Sequence, residues 1–183
     1  MINLDMIDAG WTLFLDRDGV INHEKEQSYI LHYGEFVFYE GVLEGLRILA
    51  GKFGRIVVVT NQRGIGKGLM TREDLNDIHV NMLAGVEKAG GRIDTVYYCD
   101  SLSDAHPSRK PNPGMAYQAK EDYPEIDLKR SVMVGNNITD MDFGRNAGML
   151  TVFLRTTRPG FVLPHPSIDL AFSSLYEFAK ALQ

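Results

Sequence analysis

Two carboxylates stand two residues apart in Asp16-Arg17-Asp18-Gly19, directly after the short apolar run Thr12–Leu15. If that run is a strand, one acid sits at its tip and the other in the turn beyond, and both can face one pocket from different heights. Carboxylates this close either share a proton or share a cation. Magnesium fits the second arrangement, because it is a hard ion that takes oxygen ligands and also neutralises phosphate charge. One carboxylate can then attack phosphorus while the other handles the proton of the leaving group. A plain polar turn would use the same four residues, so the motif needs support from elsewhere in the chain.

Three further groups supply it. Thr60-Asn61-Gln62 ends the β-branched run RIVVVT, which reads as a buried central strand. A hydroxyl and free backbone amides at such a tip can hold phosphate oxygens. The glycine-rich continuation 63–68 is not a P-loop: Asn61 stands where the first glycine of GxxxxGK[ST] belongs, and Gly68 where its Ser or Thr belongs. It is expected instead to be a mobile loop carrying Arg63 and Lys67 over a pocket. Arg109-Lys110-Pro111-Asn112-Pro113-Gly114 precedes a helix, and its prolines pre-set an extended lead-in that aims Lys110. A helix entrance disfavours a cation, so Lys110 is expected to face an anion. Last, Asn136 and Asp140 bracket the turn in VGNNITD and can close a metal site with oxygen ligands, with Asn137 or Thr139 as an ordinary cap. A strand end, a basic turn and a cap would explain each group singly. Four of them at successive strand tips point to one shared site.

The elements that must position these groups follow from periodicity. Strands are expected at 12–15, 55–60, 95–98, 131–134, 150–154 and 169–172, and helices at 42–50, 71–88, 113–123, 139–146 and 174–182. Thr71 and Asp74 have capping-box spacing with Asp in place of Glu, Pro113 suits a first-turn position, and Gly148 ends its helix. Such alternation predicts an α/β fold: a Rossmann-like, mostly parallel sheet flanked by helices. Ligands bind beyond the carboxyl ends of such strands, where the four groups fall. The aromatic stretch 29–39 is expected to anchor core and loop, with a pocket wall or an interface as its alternatives.

The 183 residues suit a single domain, 1–183. The net charge of −5 argues against a nucleic-acid partner, while a metal and a few placed cations can still make one pocket positive. A lone cysteine, Cys99, excludes an internal disulfide and fits a reducing compartment. The start MINLDMIDAGWTLFLD lacks the basic region of a signal peptide, and no apolar run reaches membrane length. The expectation is a cytoplasmic, monomeric protein with no membrane partner.

Taken in order, LDRDGVIN, VVVTNQRGIGKG, RKPNPG and VGNNITDMDFGRNAG resemble the four motifs of the haloacid dehalogenase superfamily of phosphatases. The resemblance runs from about Leu13 to Gly148, and its wording is similar to the small-capped branch that holds heptose bisphosphate and histidinol-phosphate phosphatases. It implies Asp16 as nucleophile and Asp18 as general acid/base, with the Asp18 backbone carbonyl also on magnesium. It implies Thr60 and Lys110 on the transferring phosphoryl group, and Arg109 near a second anionic group of the substrate. With no large insertion, loops rather than a cap domain would select that substrate. Asn61, Gln62 and Arg63 join Arg109 as candidate substrate contacts, and Asp16, Asp18, Asn136 and Asp140 form the candidate magnesium set.

Two positions depart from the family pattern. Asn136 stands where the family usually has Asp, which keeps an oxygen ligand but loses its charge. The stretch 99–108 keeps one Cys and one His where relatives often carry four zinc ligands, so a closed zinc site is not expected. The implied function is a phosphomonoesterase for a small phosphorylated metabolite. A heptose 1,7-bisphosphate losing its 7-phosphate leads, because loop cations Arg63, Lys67, His106 and Arg109 could grip a second phosphate. Histidinol phosphate is the alternative substrate. A phospho-receiver switch or an inactive binding relative is the alternative of another class, though a receiver divides its acidic pair and nucleophile between strands.

Overall fold

The structure is a computed structural model that describes residues 4–25 and 27–183. Met1, Ile2, Asn3 and Glu26 lie outside the described residues, and with them the first three positions of the segment read as lacking a signal peptide. Six strands form one sheet: β1 (Thr12–Leu15), β2 (Arg55–Asn61), β3 (Thr95–Cys99), β4 (Ser131–Gly135), β5 (Leu150–Leu154) and β6 (Leu170–Phe172). Their order is β3-β2-β1-β4-β5-β6, and every pairing is parallel. The expected "mostly parallel" sheet is thus parallel throughout the described strands.

The chain starts in the middle of the sheet, builds outward through β2 and β3, then returns to the other side of β1 with β4. The order reverses at β1, and open α/β sheets bind ligands in the crevice at such a reversal. Register places the chemistry there. Leu15 of β1 lies opposite Val58 and Val134, so Asp16, Thr60 and Asn136 emerge together at the carboxyl edge.

Alternation along the strands divides the core in two. Leu13, Leu15, Ile56, Val58, Val132 and Val134 face one layer, which holds α1 (Val42–Lys52), α3 (Arg72–Lys88) and α6 (Leu175–Lys180). Phe14, Val57, Val59 and Met133 face the other, which holds α4 (Gly114–Asp122) and α5 (Ile138–Ala147). Buried positions recur at helical spacing, as in Val42, Gly45, Leu46 and Leu49 of α1.

The Thr71–Asp74 capping box is present: the Asp74 amide donates to Thr71 Oγ1 at 3.0 Å, and the Thr71 amide to Asp74 Oδ2 at 2.8 Å. Gly148 caps α5 at φ 83°. Two expectations are corrected. Pro113 is the N-cap of α4 rather than its first-turn residue. The expected loop at 63–68 contains a turn of helix, α2 (Arg63–Gly66), tied to the sheet where the Gln62 amide donates to the Cys99 carbonyl at 2.7 Å. Among the described residues no helix is long and apolar enough to cross a membrane.

Candidate active site

A cavity of about 310 Å³ opens at the carboxyl edge, walled by Asp16, Asp18, Thr60, Asn61, Gln62, Lys110, Asn137, Thr139 and Asp140. Glu24, Lys25, Gln27 and Ser28, to which the sequence reading gave no role, complete it with Tyr29 and Ile30, the start of the aromatic stretch for which a pocket wall was an alternative. The described residues of 16–41 and 100–113, the connections over this edge, form loops and short turns rather than a separate helical cap.

Asp16 continues β1, and its amide donates to the Val134 carbonyl at 3.0 Å, which fixes the strand tip against β4. Its Oδ1 accepts from the Arg17 amide at 2.8 Å and pairs with Lys110 Nζ at 2.9 Å. Both bonds fall on Oδ1. Burial is the main force on this carboxyl and pushes its pKa up to about 7; Asp140 adds to the rise and Lys110 opposes it.

Lys110 reaches the same point from the loop before α4. Its ammonium also bonds Asp140 Oδ1 at 2.7 Å, and only 2% of its side chain is exposed. Burial alone would lower the Lys110 pKa, but the two carboxylates outweigh burial and hold it above the usual lysine value. The expectation that Lys110 faces an anion holds, and it faces two. Asn61 sets this lysine in place: its Oδ1 accepts from the Lys110 amide at 3.1 Å and its Nδ2 donates to the Lys110 carbonyl at 3.2 Å. Asp140 Oδ2 meanwhile accepts from the Asn137 amide at 3.0 Å, capping α5.

Gln62 is buried and joins two of the other groups, donating from Nε2 to Asp18 Oδ2 at 3.0 Å and to Thr60 Oγ1 at 2.8 Å. The Thr60 hydroxyl, an acceptor from Gln62, keeps its own proton to donate. Asp18 accepts from Asn22 Nδ2 at 2.9 Å and from the fully buried Arg17, whose Nη2 lies 2.8 and 2.9 Å from its two oxygens. Burial pushes the Asp18 pKa up, but the Arg17 charge and these hydrogen bonds outweigh it and hold the group below the usual carboxylate range. The two acids of one motif are therefore driven apart, Asp16 upward and Asp18 downward.

Arg63 and Arg109 fall elsewhere. Neither lines the cavity. Arg63 Nη2 donates to the Leu102 carbonyl at 3.3 Å, and Arg109 Nε to Asp104 at 2.9 Å, so both turn toward the loop 100–108. Each keeps one buried nitrogen without a partner among the described residues, Arg63 Nε and Arg109 Nη1. In the same loop His106 Nδ1 lies 3.6 Å from Cys99 Sγ. Lys67 sits over the Tyr29 ring at 5.0 Å.

The donor set fits a hard cation on one observation. Asn136 is fully buried, its Nδ2 donates to Thr157 Oγ1 at 2.9 Å and to Glu24 Oε2 at 3.3 Å, and its Oδ1 has no partner among the described residues. Both donor contacts fix the amide's orientation, so the orphan is the oxygen, the atom a magnesium ion would take. Among the described residues no three His, Cys, Asp or Glu side chains converge as a metal cluster. A cation held here would take amide and backbone oxygens beside the carboxylates. Gly19 is essential to this packing: its φ is +84°, and a Cβ there would stand 2.1 Å from Asn136 Nδ2.

Comparison with known proteins agrees with this geometry. A family model described as HAD-hydrolase-like matches residues 107–160. The D-glycero-alpha-D-manno-heptose-1,7-bisphosphate 7-phosphatase of Mycobacterium bovis is 32% identical over 173 residues, covering 94% of this chain and 91% of the relative. The D-glycero-beta-D-manno-heptose-1,7-bisphosphate 7-phosphatase of Yersinia pestis is also 32% identical, over 180 residues, covering 93% of this chain and 94% of the relative. Among solved structures, the D,D-heptose 1,7-bisphosphate phosphatase of B. bronchiseptica, complexed with magnesium and phosphate, superposes with a TM-score of 0.83. It is 27% identical and covers 94% of this chain and 97% of that one. With relatives this similar along nearly its whole length, the chain belongs to the haloacid dehalogenase superfamily, among its phosphoric monoester hydrolases.

Proposed function

We propose that this protein removes a phosphoryl group from a small sugar phosphate through a covalent phosphoryl intermediate on Asp16, and that its substrate is a heptose 1,7-bisphosphate that loses its 7-phosphate. One observation carries the chemistry: the Lys110 ammonium, buried at the cavity floor, spans Asp16 and Asp140 at 2.9 and 2.7 Å. A cation held there offsets charge as the phosphoryl group transfers, which is often the largest catalytic contribution.

The residues divide the work as follows. Oδ1 of Asp16 is tethered, so Oδ2 attacks phosphorus as the ester bond to the sugar oxygen breaks. Asp18 gives that oxygen its proton. Its resting state is ionised, so it first takes this proton from solvent as the phosphate's negative charge enters beside it. In the second half Asp18 withdraws a proton from water, the water oxygen attacks phosphorus, and inorganic phosphate leaves with Asp16 restored. Thr60 donates its free hydroxyl proton to a phosphoryl oxygen, Asn61 orients Lys110, and Gln62 holds Thr60 and Asp18 in register. Asp16, the Asp18 carbonyl, Asn136 and Asp140 would hold magnesium, Asp140 through a remaining lone pair on a carboxylate whose two oxygens already accept from Lys110 and the Asn137 amide. When bound, the ion offsets phosphate charge and draws Asp16 into its ionised form.

The substrate assignment is supported by relatives named for both heptose anomers at the same 32% identity. It is also supported by the positive charges of Arg63 and Arg109 beside the loop 100–108, which suit a second phosphate outside the cavity that takes the first.

The test is phosphate release from heptose 1,7-bisphosphate and from histidinol phosphate, with and without magnesium, using wild type and Asp16→Asn. The expected result is magnesium-dependent turnover of the bisphosphate, at least about a hundredfold lower in the variant. Preference for histidinol phosphate would keep the chemistry and overturn the substrate. Undiminished activity in Asp16→Asn would overturn the intermediate.

A further inference from the structure

The hydrogen bonds of Asp18 continue into the core. Arg17 is fully buried, takes no part in lining the cavity, and among the described residues presents its guanidinium to two side chains, Asp18 and His79. Nη2 and Nε serve Asp18, the latter at 3.3 Å. Nη1 lies 3.2 Å from Nε2 of His79, which sits 62 positions along the chain, on α3.

The chemistry of that second contact is restricted. A guanidinium only donates, so Nε2 must accept, and the imidazole is neutral with its proton on Nδ1. Burial first, and the Arg17 charge second, push the His79 pKa down to about 3, consistent with this tautomer. His79 belongs to the buried stripe of α3 with Leu75, Ile78, Met82 and Val86, where an aliphatic residue would satisfy the packing. What an aliphatic residue cannot supply is an acceptor for a buried guanidinium, whose N–H groups are costly to leave unpaired.

The precision of Asp18 depends on this arrangement. Oδ1 receives Arg17 Nη2 and Asn22 Nδ2, and Oδ2 receives Arg17 Nη2 and Gln62 Nε2, so the carboxylate plane is set largely by the guanidinium plane. Arg17 is the chain neighbour of Asp18, and a side chain folded back on the next residue has no rigid anchor of its own. His79 provides one from a different element.

We propose that His79 is a positioning residue for proton transfer at Asp18, acting through Arg17; this rests on the reading of Asp18 as the general acid. As the ester P–O bond breaks and the bond to Asp16 forms, the departing sugar alkoxide takes the Asp18 proton. An alkoxide needs that proton to leave, and a nitrophenolate does not. Disturbing the anchor should therefore slow an alkyl phosphate and spare an aryl one, whereas general damage to the site slows both.

The experiment measures kcat/KM, which reports formation of the phosphoryl-enzyme, for heptose 1,7-bisphosphate and for p-nitrophenyl phosphate. Wild type, His79→Leu and His79→Gln are compared, the Gln amide oxygen replacing Nε2 as acceptor. The expected result is a loss of about tenfold or more on the sugar phosphate in His79→Leu, a part of the full range for acid–base catalysis. The aryl ester should change less than about threefold, and His79→Gln should recover most of the sugar-phosphate rate. If His79→Leu does not fold, His79→Asn replaces it, since its shorter amide falls short of Arg17. Equal losses on both substrates, or no loss on either, would overturn the positioning role while leaving the phosphatase reading intact. Failure of that reading would instead show in the wild type, as no turnover of either ester.

Discussion

The amide of Asn136 is used asymmetrically. Its nitrogen is committed to Thr157 and Glu24, while its buried oxygen has no partner among the described residues. A carboxylate at this position would lose both donor contacts and bring a second negative charge beside Glu24, whose Oε2 is 3.3 Å from the present Nδ2. Like charges held this close destabilise the metal-free state and are relieved by a cation. Asn136→Asp should therefore lower the melting temperature without metal and tighten magnesium binding several-fold, measured by calorimetric titration. An unchanged or weaker magnesium affinity would remove residue 136 from the metal site. The identity of the residue was readable from sequence as a departure from the family. The reason an amide is tolerated was not, because Glu24 and Thr157 come from two distant loops.

At the scale of elements, the turn from β4 into α5 is packed tightly against the site. A Cβ on Gly135 would lie 2.2 Å from the Asp140 Cβ and 2.5 Å from its Oδ2, distances no side chain tolerates. Gly135→Ala must push the first turn of α5 away from the sheet, carrying Asp140 off Lys110. The expected outcome is a loss of activity of at least about tenfold together with about 1–3 kcal/mol of stability, the usual cost of overpacking. Chemical denaturation and steady-state assays check both. If only stability falls, Asp140 does not need its present position. Sequence patterns located this turn well, since β4 is a continuous apolar run and α5 is bounded by Asn137 and Gly148. They failed at α2, where two glycines in four residues read as a loop. Contacts with the end of β3, distant in sequence, supply what local propensity lacks there.

For the molecule as a whole, the strand tips were legible because the strands are short, largely apolar runs that give way to polar residues, as at Leu15-Asp16, Val59-Thr60 and Leu154-Arg155. Asp16, Asp18, Thr60, Lys110 and Asp140 all meet at one cavity as their positions implied. Arg17 and His79 were hidden, since a buried arginine between two acids reads as a surface residue and a histidine at helical spacing reads as core. The pairwise geometry of charges decides their roles, and it also links the site to global stability. Burial holds the Asp16 carboxyl at about 7 in the folded protein against an unfolded value near 3.8. A raised acid pKa means that the folded state binds the extra proton between these values. The contribution of Asp16 to stability is therefore fullest near pH 4 and falls as pH rises toward 7. At about 1.4 kcal/mol per pKa unit, ionising Asp16 without metal costs roughly 2–4 kcal/mol. Asp16→Asn, a neutral isostere, should melt above wild type by about 5 °C or more at pH 8 without magnesium, and the gap should close toward pH 5. Magnesium competes with that proton, so its stabilisation of wild type should grow from pH 5.5 to 8 and be largely absent in the variant. A gap between the two proteins that does not vary with pH would mean that Asp16 is already ionised in the metal-free fold, with Lys110 alone sufficient to hold both carboxylates.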